Sequence, residues 1–186
     1  MKILVLSDIH YPYTNKNRIR DIIKKEEPDV TVLLGDIIEK QGYDKDFFRF
    51  ISRITRKNYY FLKGDEDKVN YGLPNLLLQD GKRKYLFYHG NKLQGMSDEK
   101  TGFFVKKMKN LNPKLPLFLF AFAARIRKPF FKGEIVLGHA HAMFRFNILR
   151  VSGAGTMTYL KNIYNDKGYL VIERGKIRFN KINLHN

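Results

Sequence analysis

Acidic and imidazole side chains recur at five points of the chain, each directly after a short apolar run. Asp8 and His10 follow Lys2–Ser7, Gly35-Asp36 follows Val30–Leu34, and Gly64-Asp65-Glu66-Asp67 follows Tyr59–Leu62. His89-Gly90 follows Lys84–Tyr88, and Gly138-His139-Ala140-His141 follows Glu134–Leu137. Four of the five histidines fall at these points, and only His185 lies in the tail. There is no cysteine, which excludes disulfides, thiolate ligands and a cysteine nucleophile. Any transition metal must sit on imidazole and carboxylate. Asp8, His10, Asp36, Asp65, His89, His139 and His141 make a seven-donor N/O set suited to a dinuclear site. Mn is the first expectation, with Fe, Zn, Ni or Mg as alternatives. Each fragment alone says little, since a Gly-Asp after a strand is usually a turn. Their order, each behind an apolar run, carries the signal.

The intervening elements must bring these points together. Asn15–Glu27 has Ile19, Ile22 and Ile23 at helical spacing and Pro28 as a stop. Asp44–Lys57 repeats the pattern with Phe47, Phe48, Ile51 and Ile54. Strand, helix, strand, helix, strand over the first 62 residues predicts βαβ units on a mainly parallel sheet, where ligands bind beyond the carboxyl ends of strands. Residues two apart on a strand share a face, so Asp8/His10 and His139/His141 are each expected to converge on one point. The second half reads as a hairpin turning at Asp80-Gly81, strands at Glu134–Leu137 and Met143–Val151, and a hairpin turning at Arg174-Gly175. The expected whole is an α/β fold of two β layers with flanking helices, one domain over residues 1–186, and an insertion at about 96–132.

The blocks Asp8-x-His10, Gly35-Asp36-x-x-Glu39, Gly64 to Asp67, His89-Gly90 and Gly138-His139-x-His141 resemble those of the calcineurin-like metallophosphoesterase superfamily. The resemblance implies a four-layer αββα sandwich with two divalent metals at the strand ends. Asp8, His10 and His141 would hold one metal, Asp65, His89 and His139 the other, and Asp36 would bridge. It further implies hydrolysis of a phosphodiester or diphosphate, with a metal-bridging hydroxide attacking phosphorus in line. The family's third block usually reads Gly-Asn-His-[Asp/Glu]. Here Asp65 stands for the Asn ligand, and Glu66 for the His that stabilises or protonates the leaving oxygen. Glu66 becomes the candidate general acid, and losing the family His predicts a rate penalty of ~10²–10⁴-fold. Asp67 beside it is expected to raise its pKa by repulsion. The same Gly-Asp-x-Asp block resembles the retromer subunit of this fold, which leaves a metal-binding scaffold for protein partners as the alternative reading.

Lys and Arg number 35 against 18 Asp and Glu, a net charge of +17. That favours polyanionic partners, a phosphorylated substrate first, with a basic surface that serves only solubility as the plain alternative. Hydrophobic content of 44% excludes global disorder. Residues 100–135 hold nine basic residues against Glu134, hence +8, and seven of the 15 Phe. Two helices are expected there, Gly102–Leu111 and Pro116–Arg127, the second apolar around most of its circumference. Such a helix must bury itself against its own domain, a homodimer mate, an anionic membrane surface reached by residues 100–132, or nucleic acid. Its position resembles the helical cap of UDP-2,3-diacylglucosamine pyrophosphohydrolases, which implies a lipid-linked diphosphate, while a nucleotide substrate or Mn-dependent nuclease action stays open. The longest apolar run, Leu115–Ala124, is too short to span a bilayer. A cytoplasmic protein with peripheral membrane contact is expected.

Overall fold

The computed structural model describes residues 1–55, 58–91, 98–159 and 162–182. Arg56 and Lys57 of the second expected helix, residues 96–97 of the insertion, and His185 lie outside the described residues. Strands and helices follow in the order β1 (Lys2–Leu6), α1 (Lys16–Glu26), β2 (Val30–Leu34), α2 (Asp44–Ile54), β3 (Asn58–Leu62), β4 (Leu76–Asp80) and β5 (Arg83–Tyr88). The insertion contributes α3 (Asp98–Leu111) and α4 (Leu115–Ile126). Five strands complete the fold: β6 (Glu134–Leu137), β7 (Met143–Phe146), β8 (Val151–Ala154), β9 (Gly168–Glu173) and β10 (Lys176–Lys181).

Two five-stranded sheets form, ordered β10-β9-β1-β2-β3 and β4-β5-β6-β8-β7. β1, β2 and β3 are parallel neighbours, as are β5, β6 and β8, so six carboxyl ends point to one edge of the sandwich. Alternation along β1 sorts its side chains into two layers. Leu4 and Leu6 pack outward with Ile19, Ile23, Phe47 and Ile51 of α1 and α2. Ile3 and Val5 pack inward with Phe87, Val136 and Leu170, joining the sheets. A third apolar layer seats Leu117, Ala121 and Ala124 of α4 on Ile135, Leu137 and Val151. Helix, sheet, sheet, helix is the four-layer sandwich expected.

Local sequence explains the ends. Asn15 caps α1 by accepting from the Asn17 N–H at 2.8 Å, and Glu27 closes it in the left-handed region. Pro116 sits in the first turn of α4, where its missing N–H costs nothing. Two expectations shift. The β4–β5 turn is Gly81-Lys82, not Asp80-Gly81, because Asp80 still pairs with Arg83 and Gly81 supplies the positive φ of 60°. Met143–Val151 is not one strand. It folds into the β7–β8 hairpin, with Arg150 at φ 51° at the end of a turn that holds neither Gly nor Pro.

Candidate metal centre

Every predicted ligand lies on the loops that leave the parallel strands. Asp8 and His10 follow β1, Asp36 follows β2, Asp65 follows β3, His89 follows β5, and His139 and His141 follow β6. They gather in two sets whose ligand atoms lie within 4.8 Å of one another: Asp8, His10 and His141, and Asp36, Asp65, His89 and His139. His139 and His141 therefore serve different sets. Strand alternation does not aim them, because both lie past the end of β6 in left-handed backbone, with φ of 61° and 50°. Asp8, His10 and Asp36 share that conformation at 51°, 50° and 52°. Non-glycine residues there are uncommon, and their clustering at one spot marks a site the fold holds against local preference. Backbone bonds between the loops over-determine it: Asp8 N–H donates to the Gly35 carbonyl (3.1 Å), His10 N–H to that of Asp36 (2.9 Å), and Gly138 N–H to that of His89 (3.1 Å).

Neighbours fix which ring nitrogen faces the cluster. His89 Nδ1 sits 3.2 Å from the Leu34 carbonyl, which can only accept, so Nε2 points at the cluster. His10 Nδ1 meets Glu39 Oε2 at 2.7 Å, freeing Nε2 in the same way. Glu39 was visible only as a motif residue, and this orienting role was not expected. Asp67 is a second one. Its buried carboxylate accepts the N–H groups of Asp36 (3.0 Å), Ile37 (2.8 Å), Ile38 (2.6 Å) and Gly64 (2.7 Å), which fixes the Asp36 loop on the β3 loop. Gly64 leaves room for Asp36: a Cβ there would stand 2.1 Å from its Oδ1.

The side chains present fit divalent metal. Asp8 Oδ1, His10 Nε2, His89 Nε2 and His141 Nδ1 are buried without a hydrogen bond. His89 Nε2 nonetheless stands 2.9 Å from Asp36 Oδ2, and His141 Nε2 stands 3.2 Å from Asp8 Oδ1, close but not aligned for hydrogen bonding. Buried polar atoms left in such a state are costly, and divalent cations, one at each ligand set, would satisfy the atoms that face them. The field agrees. Burial opposes a charge on His89, but attraction to Asp36 and Asp65 holds its pKa well above the ordinary value. Burial would raise the pKa of Asp65, but the close imidazoles of His139 (3.4 Å) and His89 (3.2 Å) hold it well below the carboxylate range. A place that favours a proton this strongly favours a metal cation too.

The family profile of the calcineurin-like phosphoesterases matches residues 1–174. The chain belongs to the calcineurin-like phosphoesterase family. No curated protein matches it closely enough to count as a relative. Solved structures share the fold at low identity. A mutant Vps29 from Entamoeba histolytica is 13% identical, with 98% of each chain covered and a TM-score of 0.63. The wild-type Vps29 of that organism, solved with Zn²⁺, is 14% identical, again with 98% of each chain covered and a TM-score of 0.60. YfcE, a phosphoesterase from E. coli, is 15% identical, covering 94% of this chain and 89% of its own, with a TM-score of 0.54.

Within this calcineurin-like phosphoesterase, Glu66 stands at the edge of the centre. Its Oε2 is 3.3 Å from His10 Nδ1, and the side chain keeps 53% of its exposure. Partial burial, then the charge of Asp36, push its pKa up. The expected repulsion comes from Asp36, Glu39 and Asp65, whereas Asp67 is turned away toward backbone N–H groups. A cavity of about 250 Å³ opens in front, lined by Asp36, Asp65, Glu66, His139 and His141 together with Val105, Leu117 and Phe120 of the insertion and Ile163. A second cavity, of about 780 Å³, flanks Asp65 and His89, with Lys63, Arg127 and Lys128 on its walls.

Proposed function

We propose that this chain hydrolyses a phosphodiester or diphosphate whose ester group is apolar, lipid-linked before nucleotide, with Asp8, His10 and His141 holding one divalent ion and Asp36, Asp65, His89 and His139 the other. The supporting observation is a cavity lined both by Asp36, Asp65, His139 and His141 of this ligand set and by Val105, Leu117 and Phe120 of the apolar insertion. Bound ions would supply Lewis-acid stabilisation of the phosphoryl oxygens and lower the pKa of water. Mn is the first choice, and the Zn²⁺ of the Entamoeba Vps29 structure speaks for Zn as well. Asp36, bonded at Oδ1 by the Glu66 N–H (2.9 Å), would bridge the two ligand sets. Glu66 is the carboxyl placed to hold a proton near the leaving oxygen. Lys63, Arg127 and Lys128 attract the substrate's negative charge, while Leu117 and Phe120 exclude water and take its apolar part.

The insertion carries the substrate's setting. Phe118, Leu119, Phe122 and Ile126 on α4 are exposed, beside basic Lys106, Lys107, Lys114 and Arg127. That combination suits an anionic membrane surface. Among the described residues no helix is long and apolar enough to cross a membrane, and the contact proposed is a peripheral one.

Mn-loaded protein should hydrolyse bis-p-nitrophenyl phosphate, and Asp36→Asn should lower the rate by at least about 100-fold. Glu66→His should raise it. If fully metallated protein turns over no diester, nucleotide or lipid diphosphate, and Glu66→His does not restore turnover, the scaffold reading suggested by the Gly64–Asp67 block replaces this one.

A further inference from the structure

At the opposite pole from the metal centre, where β5 and β6 begin, the ends of the two sheets enclose a cleft of about 640 Å³. Lys82, Arg83, Lys84, Lys132, Arg145 and Arg150 line it, from four separate chain segments. Glu134 is the acidic residue among its walls, and it is already taken by Ser152 Oγ (2.7 Å) and Arg145 Nε (3.4 Å). Among the described residues the ammonium groups of Lys82, Lys84 and Lys132 meet no carboxylate. The guanidinium groups are held in place by carbonyls: Arg150 donates to Lys132 (2.7 Å) and Arg83 to Gly175. Like charges gathered in one concavity repel, a cost that a surface kept basic only for solubility would avoid by spreading them.

The floor gives a second, independent sign. Tyr85 is 2% exposed, with its ring in the inter-sheet core and its hydroxyl at this cleft. That hydroxyl makes no hydrogen bond of regular geometry, and the Arg83 guanidinium lies beside it. A buried hydroxyl left unpaired under a cation is a donor in want of an acceptor. Phe130 and Ile148, 94% and 98% exposed, flank the cleft residues Lys132 and Arg150 in sequence.

We infer that this cleft binds a compact anion bearing two or more phosphoryl groups, with the lysines and arginines around it and the Tyr85 hydroxyl beneath. The chemistry is shared by a soluble polyphosphate and a phosphorylated lipid headgroup. It is independent of the metal centre and of the proposed hydrolysis.

Inorganic tripolyphosphate titrated calorimetrically into EDTA-treated protein should bind saturably, one anion per chain. Lys82→Ser/Lys132→Ser should weaken it at least about tenfold. Tyr85→Phe should weaken it several-fold while leaving the unliganded protein as stable as before, because no hydrogen bond is lost there. Asp36→Asn should bind unchanged. Vesicles containing a bisphosphorylated inositol lipid identify the source: sedimentation with them, reversed by tripolyphosphate and lost in Phe130→Ser/Ile148→Ser, assigns a lipid headgroup, whereas tripolyphosphate binding without sedimentation assigns a soluble anion. Absence of saturable binding, affinity unmoved in Lys82→Ser/Lys132→Ser and in Tyr85→Phe, or binding abolished by Asp36→Asn would each overturn the inference.

Discussion

A carboxylate that accepts four backbone N–H groups has no good substitute. Asn at position 67 would turn an amide N–H₂ toward donors now facing Asp67 oxygens, leaving buried donors unpaired. Asp67→Asn should cost about 1–3 kcal/mol in urea unfolding. It should also weaken Mn binding, read by calorimetry, because Asp36 loses the bond that holds its backbone. A purely local role for Asp67 would leave metal affinity untouched. The ligands themselves were legible because imidazoles and carboxylates behind apolar runs are chemically conspicuous. Asp67 was misjudged for a physical reason: adjacent residues suggest repulsion, but neighbouring side chains in a loop can point apart, and sequence carries no loop direction. The orienting contact of Glu39 with His10 spans 29 positions and has no local signal at all.

Helix α4 illustrates what an element's own sequence withholds. Its apolar run predicted a helix in need of burial but not which side would be covered. Small residues decide it: Ala121 and Ala124, both fully buried, let the helix approach the second sheet, and Leu117 fills the space beside them. Leu117→Ala should therefore cost about 2–4 kcal/mol by urea unfolding, whereas Phe122→Ser, on the exposed side, should stay within ~0.5 kcal/mol. Equal losses would mean that the outer side is covered too. Arg125 fixes the end of α4 by donating to the carbonyls of Leu149 (2.5 Å), Phe131 (2.7 Å) and Arg150 (2.9 Å). The same turn explains why the β7–β8 hairpin escaped sequence reading. Asn147–Arg150 bends without Gly or Pro, and tertiary bonds such as Arg125 to Leu149 stabilise what local propensity does not. The first 62 residues were read almost element by element, because Asn15, Pro28 and clean apolar spacing mark their boundaries.

At the scale of the molecule, Glu26 ties helix α1 to the first sheet. It is buried, with Lys2 Nζ at 3.0 Å, Arg178 at 2.8 Å and the Tyr169 hydroxyl at 2.9 Å. Burial alone would raise its pKa, but hydrogen bonds from Lys2 and Tyr169 and attraction to both cations bring it below the ordinary value. A depressed carboxyl pKa contributes stability that is fully present above the unfolded-state value, about 4.3, and lost as pH falls through the folded one. Thermal unfolding should thus be steady from neutral pH to about 5 and fall below it, with Glu26→Gln less stable at neutral pH and flatter in that acidic window. An unchanged slope in Glu26→Gln would assign the acid loss to other groups. Self-repulsion of a +17 chain steepens the same decline, since each protonated carboxylate adds to the excess.

The left-handed backbone at Asp8, His10, Asp36, His139 and His141 bears on how such a centre can change over generations. Asp, Asn and His tolerate that conformation better than other side chains, and their codons differ only in the first base. A ligand at these positions can thus be exchanged for another oxygen or nitrogen donor by one nucleotide change, without disturbing the main chain. Substitutions to β-branched residues there fail for conformational reasons before coordination is considered. The loops accordingly leave open a short mutational route between metal preferences and close most routes to losing the site's shape.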